Sequence, residues 1–129
     1  MHTRIGGAII FCAVVGALTV VSAASAETPA MISDGVVVTA KGMTLYVFDR
    51  DPTAGGKSMC NGPCATNWPP LMAAGDAKAS GDWTIIVRED GSKQWAYKGR
   101  PLYAWAKDQK PGDRTGDGFL NNQWHVAKQ

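Results

Sequence analysis

The residues best suited to chemistry in this 129-residue chain are two cysteines, Cys60 and Cys64. Thiolates act as redox pairs and as ligands for soft metal ions. The further side chains that can complete a metal site with them are His125, Met59 and Met43. Redox-active cysteines usually have two residues between them and lie at a helix start, whereas three residues in a glycine-rich stretch separate this pair. We therefore favour a structural disulfide, and a redox or metal site stays open as the alternative.

The sequence lacks the sets of residues that the common catalytic mechanisms require. A Ser-His-Asp hydrolase needs a histidine base, and beyond its first residues the chain has one histidine, His125, in a predicted strand. The glycines at 55 and 56 are not followed by the helix start that a phosphate-binding loop requires. The net charge of +2 is too small to indicate a nucleic-acid partner. We therefore predict that the protein is not an enzyme, uses no cofactor and binds no nucleic acid.

The beginning of the chain has the pattern of a secretory signal. Arg4 gives it a positive start, residues 5–21 are apolar or small apart from one threonine, and Ala24-Ser25-Ala26 offers the small residues that a signal peptidase reads. We predict that residues 1–26 are a signal peptide, cleaved after Ala26, and that Cys12 is removed with it. The mature chain is then periplasmic or secreted and has no transmembrane segment. A retained membrane anchor is the alternative, for which the apolar run is short.

Export also bears on the two cysteines that remain. An even number of cysteines in an exported chain is typical of a disulfide framework, so Cys60 and Cys64 are predicted to pair. A regular helix would hold their Cβ atoms too far apart to bridge. The intervening Gly62-Pro63 favours a tight turn instead. Closing so small a loop contributes roughly 2 kcal/mol of stability.

An internal repeat organises the mature chain. Residues 41–51 and residues 98–108 both read Lys-Gly-x-x-Leu-Tyr-x-aromatic-x-x-Asp. An Asp-Gly pair precedes each copy, and a tryptophan, Trp68 or Trp124, follows it. We therefore predict one domain over residues 27–129, built from two equivalent repeats at about 31–78 and 79–129.

Short strands and turns are the elements that must position these residues. Runs of β-branched and aromatic residues alternate with glycine and proline, and no mature window shows a sustained helical period. The fold class predicted is all-β, with short antiparallel strands of two pseudo-equivalent repeats forming a small sandwich or barrel-like domain about a pseudo-twofold axis. The predicted strands are 36–39, 44–48, 83–88, 93–97, 101–105 and 123–127, and long loops without elements are predicted at 53–67 and 108–122.

Alternate side chains of a strand share a face, which divides each motif in two. Tyr46 and Phe48 point to one side of the first strand, and Leu45 and Val47 point to the other. In the second copy, Tyr103 and Trp105 match the first pair, and Leu102 and Ala104 match the second. Because both faces are apolar, we expect these strands to be central and covered on both sides.

The motif aspartates and the tryptophans allow a structural and a functional interpretation each. Asp51 and Asp108 lie past the strand ends, where a carboxylate accepts the backbone N–H groups of the following turn. The alternative is a matched pair of ligands for a cation or a polar group. Core packing is the favoured role of the tryptophans, and an exposed aromatic binding surface, with Trp68 and Trp124 as its candidates, is the alternative.

These residues resemble a family of secreted bacterial repeats, many described as predicted lipoproteins, that share a Tyr-x-(Phe/Trp/Tyr)-x-x-Asp motif. The resemblance rests on residues 46–51, 56–64, 68–71, 103–108 and 111–118. It implies export and a repeat architecture, and the family has no agreed biochemical activity. Many members carry a lipid-attachment cysteine that this sequence lacks, so the resemblance implies no lipid anchor here.

Two functional hypotheses follow. The first is a secreted, non-catalytic β-repeat module that binds or supports an unknown envelope or extracellular partner. The second is a periplasmic redox or metal-handling protein that uses Cys60 and Cys64.

Overall fold

The computed structural model describes residues 29–53 and 56–129, together with the glycines at 6, 7 and 16. The rest of the predicted signal peptide, with Cys12 and the cleavage site after Ala26, lies outside the described residues. The elements of the described chain are, in order, β1 (Met31–Ser33), β2 (Val36–Val38), β3 (Tyr46–Phe48), α1 (Pro63–Asn67), β4 (Trp83–Val87), β5 (Lys93–Tyr97), β6 (Arg100–Pro101), α2 (Phe119–Asn122) and β7 (Trp124–Val126).

These strands form small antiparallel sheets, as the sequence predicts. β1 pairs with β2, β3 pairs with β7, and β4, β5 and β6 form a three-stranded sheet in that order. Single bridges such as Val38 to Thr44 and Tyr46 to Tyr103 link the sheets. The all-β prediction with few helices is confirmed, and within the described residues the strands do not close into a barrel.

The Lys-Gly pair of each repeat forms a tight turn that only glycine can complete. Gly42 and Gly99 have φ values of +83° and +82°, a left-handed conformation that side-chain-bearing residues rarely adopt. A Cβ atom on Gly99 would also collide with the carbonyl oxygen of Thr53. These turns deliver the Leu-Tyr segment of each motif into the centre of the molecule.

Four elements differ from the sequence-based expectations, and one of them is the strand predicted at 101–105, of which only Pro101 lies in a strand, β6. The loop predicted at 53–67 contains the helix α1, because Pro63 begins a helix here rather than a tight turn. Proline suits a first helical position, where its φ is already helical and no N–H bond is lost. The loop predicted at 108–122 ends in α2, which includes left-handed residues from Leu120 to Asn122. The exposed strand β1 was not predicted.

A stack of four aromatic rings fills one side of the core. Phe48 stacks on Trp124 (ring centroids 4.3 Å apart), Trp124 on Trp68 (3.8 Å), and Trp68 on Trp105 (4.0 Å). The motif tyrosines meet the stack edge-on, Tyr46 against Trp68 at 5.3 Å and its counterpart in the second repeat against Trp124 at 5.1 Å. Such stacked and edge-to-face pairs add stability beyond the apolar area they bury.

At both ends of the stack, a ring of one repeat packs on a tryptophan of the other repeat. Phe48 belongs to the first repeat and stacks on Trp124 of the second, while Trp105 of the second stacks on Trp68 of the first. The centre of this arrangement is the backbone pair of Tyr46 and its counterpart, whose N–H groups donate reciprocally to the carbonyl groups at 2.7 and 3.0 Å. The two halves are therefore related by a pseudo-twofold arrangement.

The opposite faces of the motif strands pack in a second apolar cluster. Leu45, Val47 and Leu102 lie there, together with Val37 and Tyr97. The alternation predicted for the two motifs is therefore observed, with tyrosine and its aromatic neighbour on one side and the aliphatic residues on the other.

The aromatic stack makes a steric prediction at Gly116. A Cβ atom there would lie 2.6 Å from Cη2 of Trp68 and 3.0 Å from Cγ of Trp105. We expect Gly116→Ala to lower the unfolding free energy by about 1–3 kcal/mol, because the rings must shift to admit a methyl group. Urea unfolding followed by tryptophan fluorescence measures this.

The matched control is Gly75→Ala, since nothing lies within 4 Å of its Cβ position. We expect that variant to change stability by less than about 0.5 kcal/mol. Equal stabilities for the two variants would contradict the tight packing described for the stack.

Candidate functional site

The motif tyrosines and aspartates form two hydrogen bonds that cross between the repeats. The hydroxyl of Tyr46 donates to Oδ2 of Asp108 at 2.6 Å, and the hydroxyl of Tyr103 donates to Oδ2 of Asp51 at 2.6 Å. All four side chains are buried. Each aspartate therefore depends on the tyrosine of the other repeat.

The second carboxylate oxygen of each aspartate holds the loop that follows it. Oδ1 of Asp51 accepts the backbone N–H of Met59 at 2.7 Å, and Oδ1 of Asp108 accepts the backbone N–H and the hydroxyl of Thr115 at 3.1 and 2.5 Å. The aspartates thus accept turn N–H groups in the way that the structural interpretation describes.

Burial sets the protonation chemistry of this network. Removal from water raises the pKa of Asp51 above its usual value, although the Met59 N–H, the Tyr103 hydroxyl and the Arg88 charge each lower it. Burial also raises the pKa of Tyr46 and of Tyr103 far above the ordinary value of 10.0, and the hydrogen bonds to the aspartates raise it further. Both tyrosines therefore stay protonated and act as donors.

A buried arginine, Arg88, extends the network on one side. Its Nη1 donates to Oγ of Ser58 at 3.0 Å and to Oε1 of Gln94 at 2.7 Å, and its Nη2 donates to the carbonyl of Cys60 at 2.5 Å and to Oδ1 of Asn61 at 3.1 Å. Sequence reasoning missed this residue, which it placed at the end of a strand. The available signal was a charged residue directly after an apolar strand.

Arg88 lies on a part of the second repeat that the first repeat lacks. The hairpin β4–β5 pairs five residues from each strand, whereas β1–β2 pairs three. Arg88 follows the last paired residue of β4 and bonds to Ser92 across the longer turn. The two repeats are therefore equivalent at the core and different at this hairpin.

The cysteines are at disulfide distance. The sulfur atoms of Cys60 and Cys64 are 2.08 Å apart and the Cα atoms 5.2 Å apart. Cys60 is fully buried and Cys64 packs against the aromatic stack. The structure does not bring His125 to the cysteines, since Nε2 of its ring bonds to Oδ2 of Asp49 at 2.8 Å. In the described part of the chain, no group of three His, Cys, Asp or Glu side chains is placed to hold a metal ion.

The tryptophans singled out as binding aromatics lie in the core. Trp68 and Trp124 are 3% and 1% exposed, because they stack on each other at the centre of the molecule. The expectation of an exposed aromatic surface at these two residues is therefore corrected: neither ring is presented to a partner.

A basic cleft lies at the junction of the repeats. It has a volume of about 350 Å³ and lies between the β3–β7 pair and the turn that joins β5 to β6. Val47, Tyr97 and Ala127 form apolar walls that belong to the second cluster of the core. The remaining lining residues are Lys98, Arg100, His125, Val126 and Lys128.

The cleft concentrates positive charge. Lys98, Arg100 and Lys128 are exposed, and none of the described residues that line the cleft with them is acidic. Asp49 bonds to Nε2 of the lining His125 at 2.8 Å. Nζ of Lys98 lies 5.4 Å from the centroid of the Tyr97 ring, so this ammonium is held beside an aromatic wall.

The sequence contains little that would predict that these cationic residues lie together. Lys98 and Arg100 belong to the turn of the second motif, and Lys128 reaches them only because the last strand pairs with β3. The corresponding positions of the first repeat hold Lys41, Met43 and Met72. Two of these residues are uncharged, so a comparison of the repeats does not reveal the cluster of three cations.

The crossed tyrosines make a prediction about alkaline pH. The pKa of both tyrosines is higher in the folded protein than the value of 10.0 expected when it unfolds. Their contribution to the unfolding free energy is therefore complete below about pH 10 and is lost as the pH rises, because the unfolded chain then releases protons that the folded chain keeps. The double variant Tyr46→Phe/Tyr103→Phe should lose this dependence, and each single variant should lose about 1–3 kcal/mol at neutral pH.

Urea unfolding as a function of pH measures both effects. Tyr97→Phe is the control, since its hydroxyl forms no hydrogen bond with another described residue and the two motif tyrosines remain. An unchanged alkaline dependence in the double variant would show that the crossed bonds do not hold the tyrosines protonated.

Comparisons with known proteins identify the repeat. A family model described as a secreted repeat of unknown function matches residues 30–72 and again residues 84–128. Comparison with curated proteins and with solved structures gave no match. Neither short helix of the described residues approaches the length and apolar character of a membrane span. The two matches cover most of the chain, and the protein belongs to this family of secreted repeats of unknown function.

Proposed function

We propose that the protein is a non-catalytic, extracytoplasmic binding module whose basic cleft takes an acidic saccharide of the cell envelope. In this proposal residues 1–26 direct export and are removed, and residues 27–129 act in the periplasm or outside the cell. The observation that carries the proposal is the set of three cations that line one recess, Lys98, Arg100 and Lys128.

Electrostatics favours an anion in this recess. Each cation near a protein surface contributes about 4 kcal/mol of Coulomb attraction to a unit anion at about 4 Å, before desolvation is counted. Measured contributions of solvent-exposed ion pairs to the free energy are only about 0.2–1 kcal/mol. One reason is that salt at physiological concentration screens exposed charges over roughly 8 Å. We therefore expect moderate affinity that falls as salt is added.

Shape favours a discrete group over a membrane surface. The volume of about 350 Å³ lies at the lower end of the range for small-molecule sites and is large enough for a sugar unit. The large hydrophobic side chains that are exposed on this protein, such as Phe119 and Leu120, do not line the cleft. The described part of the chain therefore places no large apolar anchor for a bilayer in the lining of the cleft.

The motif residues support a non-catalytic role. Asp51 and Asp108 each use both carboxylate oxygens in hydrogen bonds within the protein, and their tyrosine partners stay protonated donors. A general base must be free to accept a proton from a substrate. These groups are instead engaged in holding two loops.

The test compares two triple variants with equal loss of charge. Lys98→Gln/Arg100→Gln/Lys128→Gln should weaken binding of tri-galacturonate by about tenfold or more, since each lost rim charge removes part of the attraction. Lys41→Gln/Lys78→Gln/Arg114→Gln removes the same charge from exposed positions outside the cleft and should change the affinity by less than about twofold. Isothermal titration at low and at physiological salt measures both.

Vesicles that contain phosphatidylglycerol form the second arm. Binding to the vesicles without binding to the saccharide would replace the proposed ligand by an anionic lipid surface. Equal affinities for the two triple variants would contradict the cleft as the binding site.

The disulfide separates this proposal from the redox alternative. Reduction, or Cys60→Ala/Cys64→Ala, should lower the unfolding free energy by about 2 kcal/mol, because a small loop loses its closure. Saccharide affinity should not change while the protein stays folded, since neither cysteine lines the cleft. Urea unfolding and titration of oxidised and reduced protein measure this, and an affinity that follows the redox state would favour the alternative.

A further inference from the structure

A second surface, on the far strand of the second repeat, has unpaired backbone. β4 lies at the end of its sheet and pairs with β5 alone among the described strands. The N–H of Arg88 donates to the carbonyl of Ser92 at 2.8 Å, and the N–H of Lys98 donates to the carbonyl of Asp82 at 2.8 Å. Because antiparallel bonds alternate, the even-numbered residues of β4 bond to β5 and the odd-numbered residues direct their N–H and C=O groups outward.

Over one stretch of the strand, the outward groups have no backbone partner in the part of the chain that the structure describes. Trp83 exchanges both of its backbone bonds with Ser80, at 3.0 and 2.9 Å. The N–H and C=O groups of Ile85 and Val87 have no backbone partner among the described residues. An extended segment of another chain that lies along this edge would satisfy these groups.

The first repeat does not present an equal edge. Its outer strand β1 pairs three residues with β2. The backbone groups of Val37 in β2 bond to Ala127 and Leu45 on the side away from β1. Its partner Ile32 is therefore the one residue of β1 whose backbone groups point away from β2. The longer edge therefore arises from the same extension of the β4–β5 hairpin that carries Arg88.

A recess beside the edge shows what a partner side chain would meet. Lys57, Met59, Val87 and Glu89 line it, and the side chains of Met59 and Val87 are 60% and 59% exposed. The methylene groups of a lysine or arginine fit the apolar part, and Glu89 attracts the charged end. Two cations, Lys57 and Arg88, also line the recess. The guanidinium of Arg88 is engaged in hydrogen bonds inside the protein, so Lys57 is the exposed cation that opposes the charged end.

Charge disfavours a second copy of this chain as the occupant. The edge is bounded by exposed acidic residues at both ends, Asp82 before β4 and Glu89 and Asp90 after it, while the side chain of Arg88 is turned inward. An antiparallel pair of two such edges would bring Asp82 of one copy opposite Asp90 of the other, and facing like charges destabilise a sheet. From the free groups and these charges, we propose that the outer edge of β4 binds an extended basic peptide segment of a partner protein as an added strand.

The test uses the peptide acetyl-Lys-Val-Lys-Val-Lys-Val-Lys-amide and the folded mature protein. Hydrogen exchange read by NMR should show that the amides of Ile85 and Val87 become protected on binding. Val87→Pro removes only an outward N–H and should weaken binding about tenfold or more, whereas Val87→Thr should retain it. Glu89→Gln should weaken binding and Lys57→Gln should strengthen it, each by about threefold.

A second series of peptides keeps the result independent of how the proline variant folds. Methylation of alternate backbone nitrogens of the peptide should abolish binding, and exchange of its lysines for glutamine should weaken it. Protection at other amides, indifference to methylation, or a dimer of the protein in sedimentation would each overturn the proposal. Because the cleft binds anions and this edge binds a cationic peptide, each proposal can fail without the other.

Discussion

The fold depends on a pair of hydrogen bonds that cross between the repeats, from Tyr46 to Asp108 and from Tyr103 to Asp51. Each aspartate fixes the loop of its own repeat but takes its buried donor from the other. A single repeat would leave a carboxylate in an apolar core without that donor, which costs more than the bond contributes when made. Phe48 and Trp105 follow the same rule, since each stacks on the tryptophan of the other repeat. Two repeats are therefore the smallest unit in which the buried groups of this motif are satisfied.

Symmetry of the core contrasts with asymmetry of the surface. The residues that the repeats share mostly cross, stack or turn, whereas residues that differ distinguish the two proposed binding surfaces from the corresponding parts of the first repeat. Arg100 and Lys128 line the cleft where the first repeat has Met43 and Met72. The longer hairpin of the second repeat supplies the edge of β4 that no other described strand pairs with. The repeated residues thus form a stable frame, and the residues that differ give it two surfaces that we propose to bind ligands of opposite charge.

Sequence patterns predicted what depends on local periodicity and failed where distant residues meet. The all-β class, the repeated motif and the two faces of Tyr46 and Leu45 follow from alternation along a strand. The exchange of partners between repeats could not be predicted, because either pairing satisfies the same spacing. Trp68 was kept as a candidate for an exposed surface because a count of tryptophans carries no information on burial, and only the stack explains where it lies. The basic cleft was missed because Lys98 and Lys128 are joined by strand pairing and not by sequence.

Arg88 connects the divergent hairpin to the symmetric core. Tyr103, which donates to Asp51, also bonds to Ser58 at 2.5 Å, and Ser58 in turn accepts from Arg88. A buried guanidinium is tolerated only when its donors are used and a counter-charge is near, and Asp51 provides that charge. The carbonyl of Cys60 takes another donor, so the disulfide loop closes the same network. The hydrogen bond from Tyr103 to Asp51 therefore does more than join the repeats. Through Ser58 and Arg88 it also fixes the end of β4, the strand whose outer edge is unpaired among the described residues.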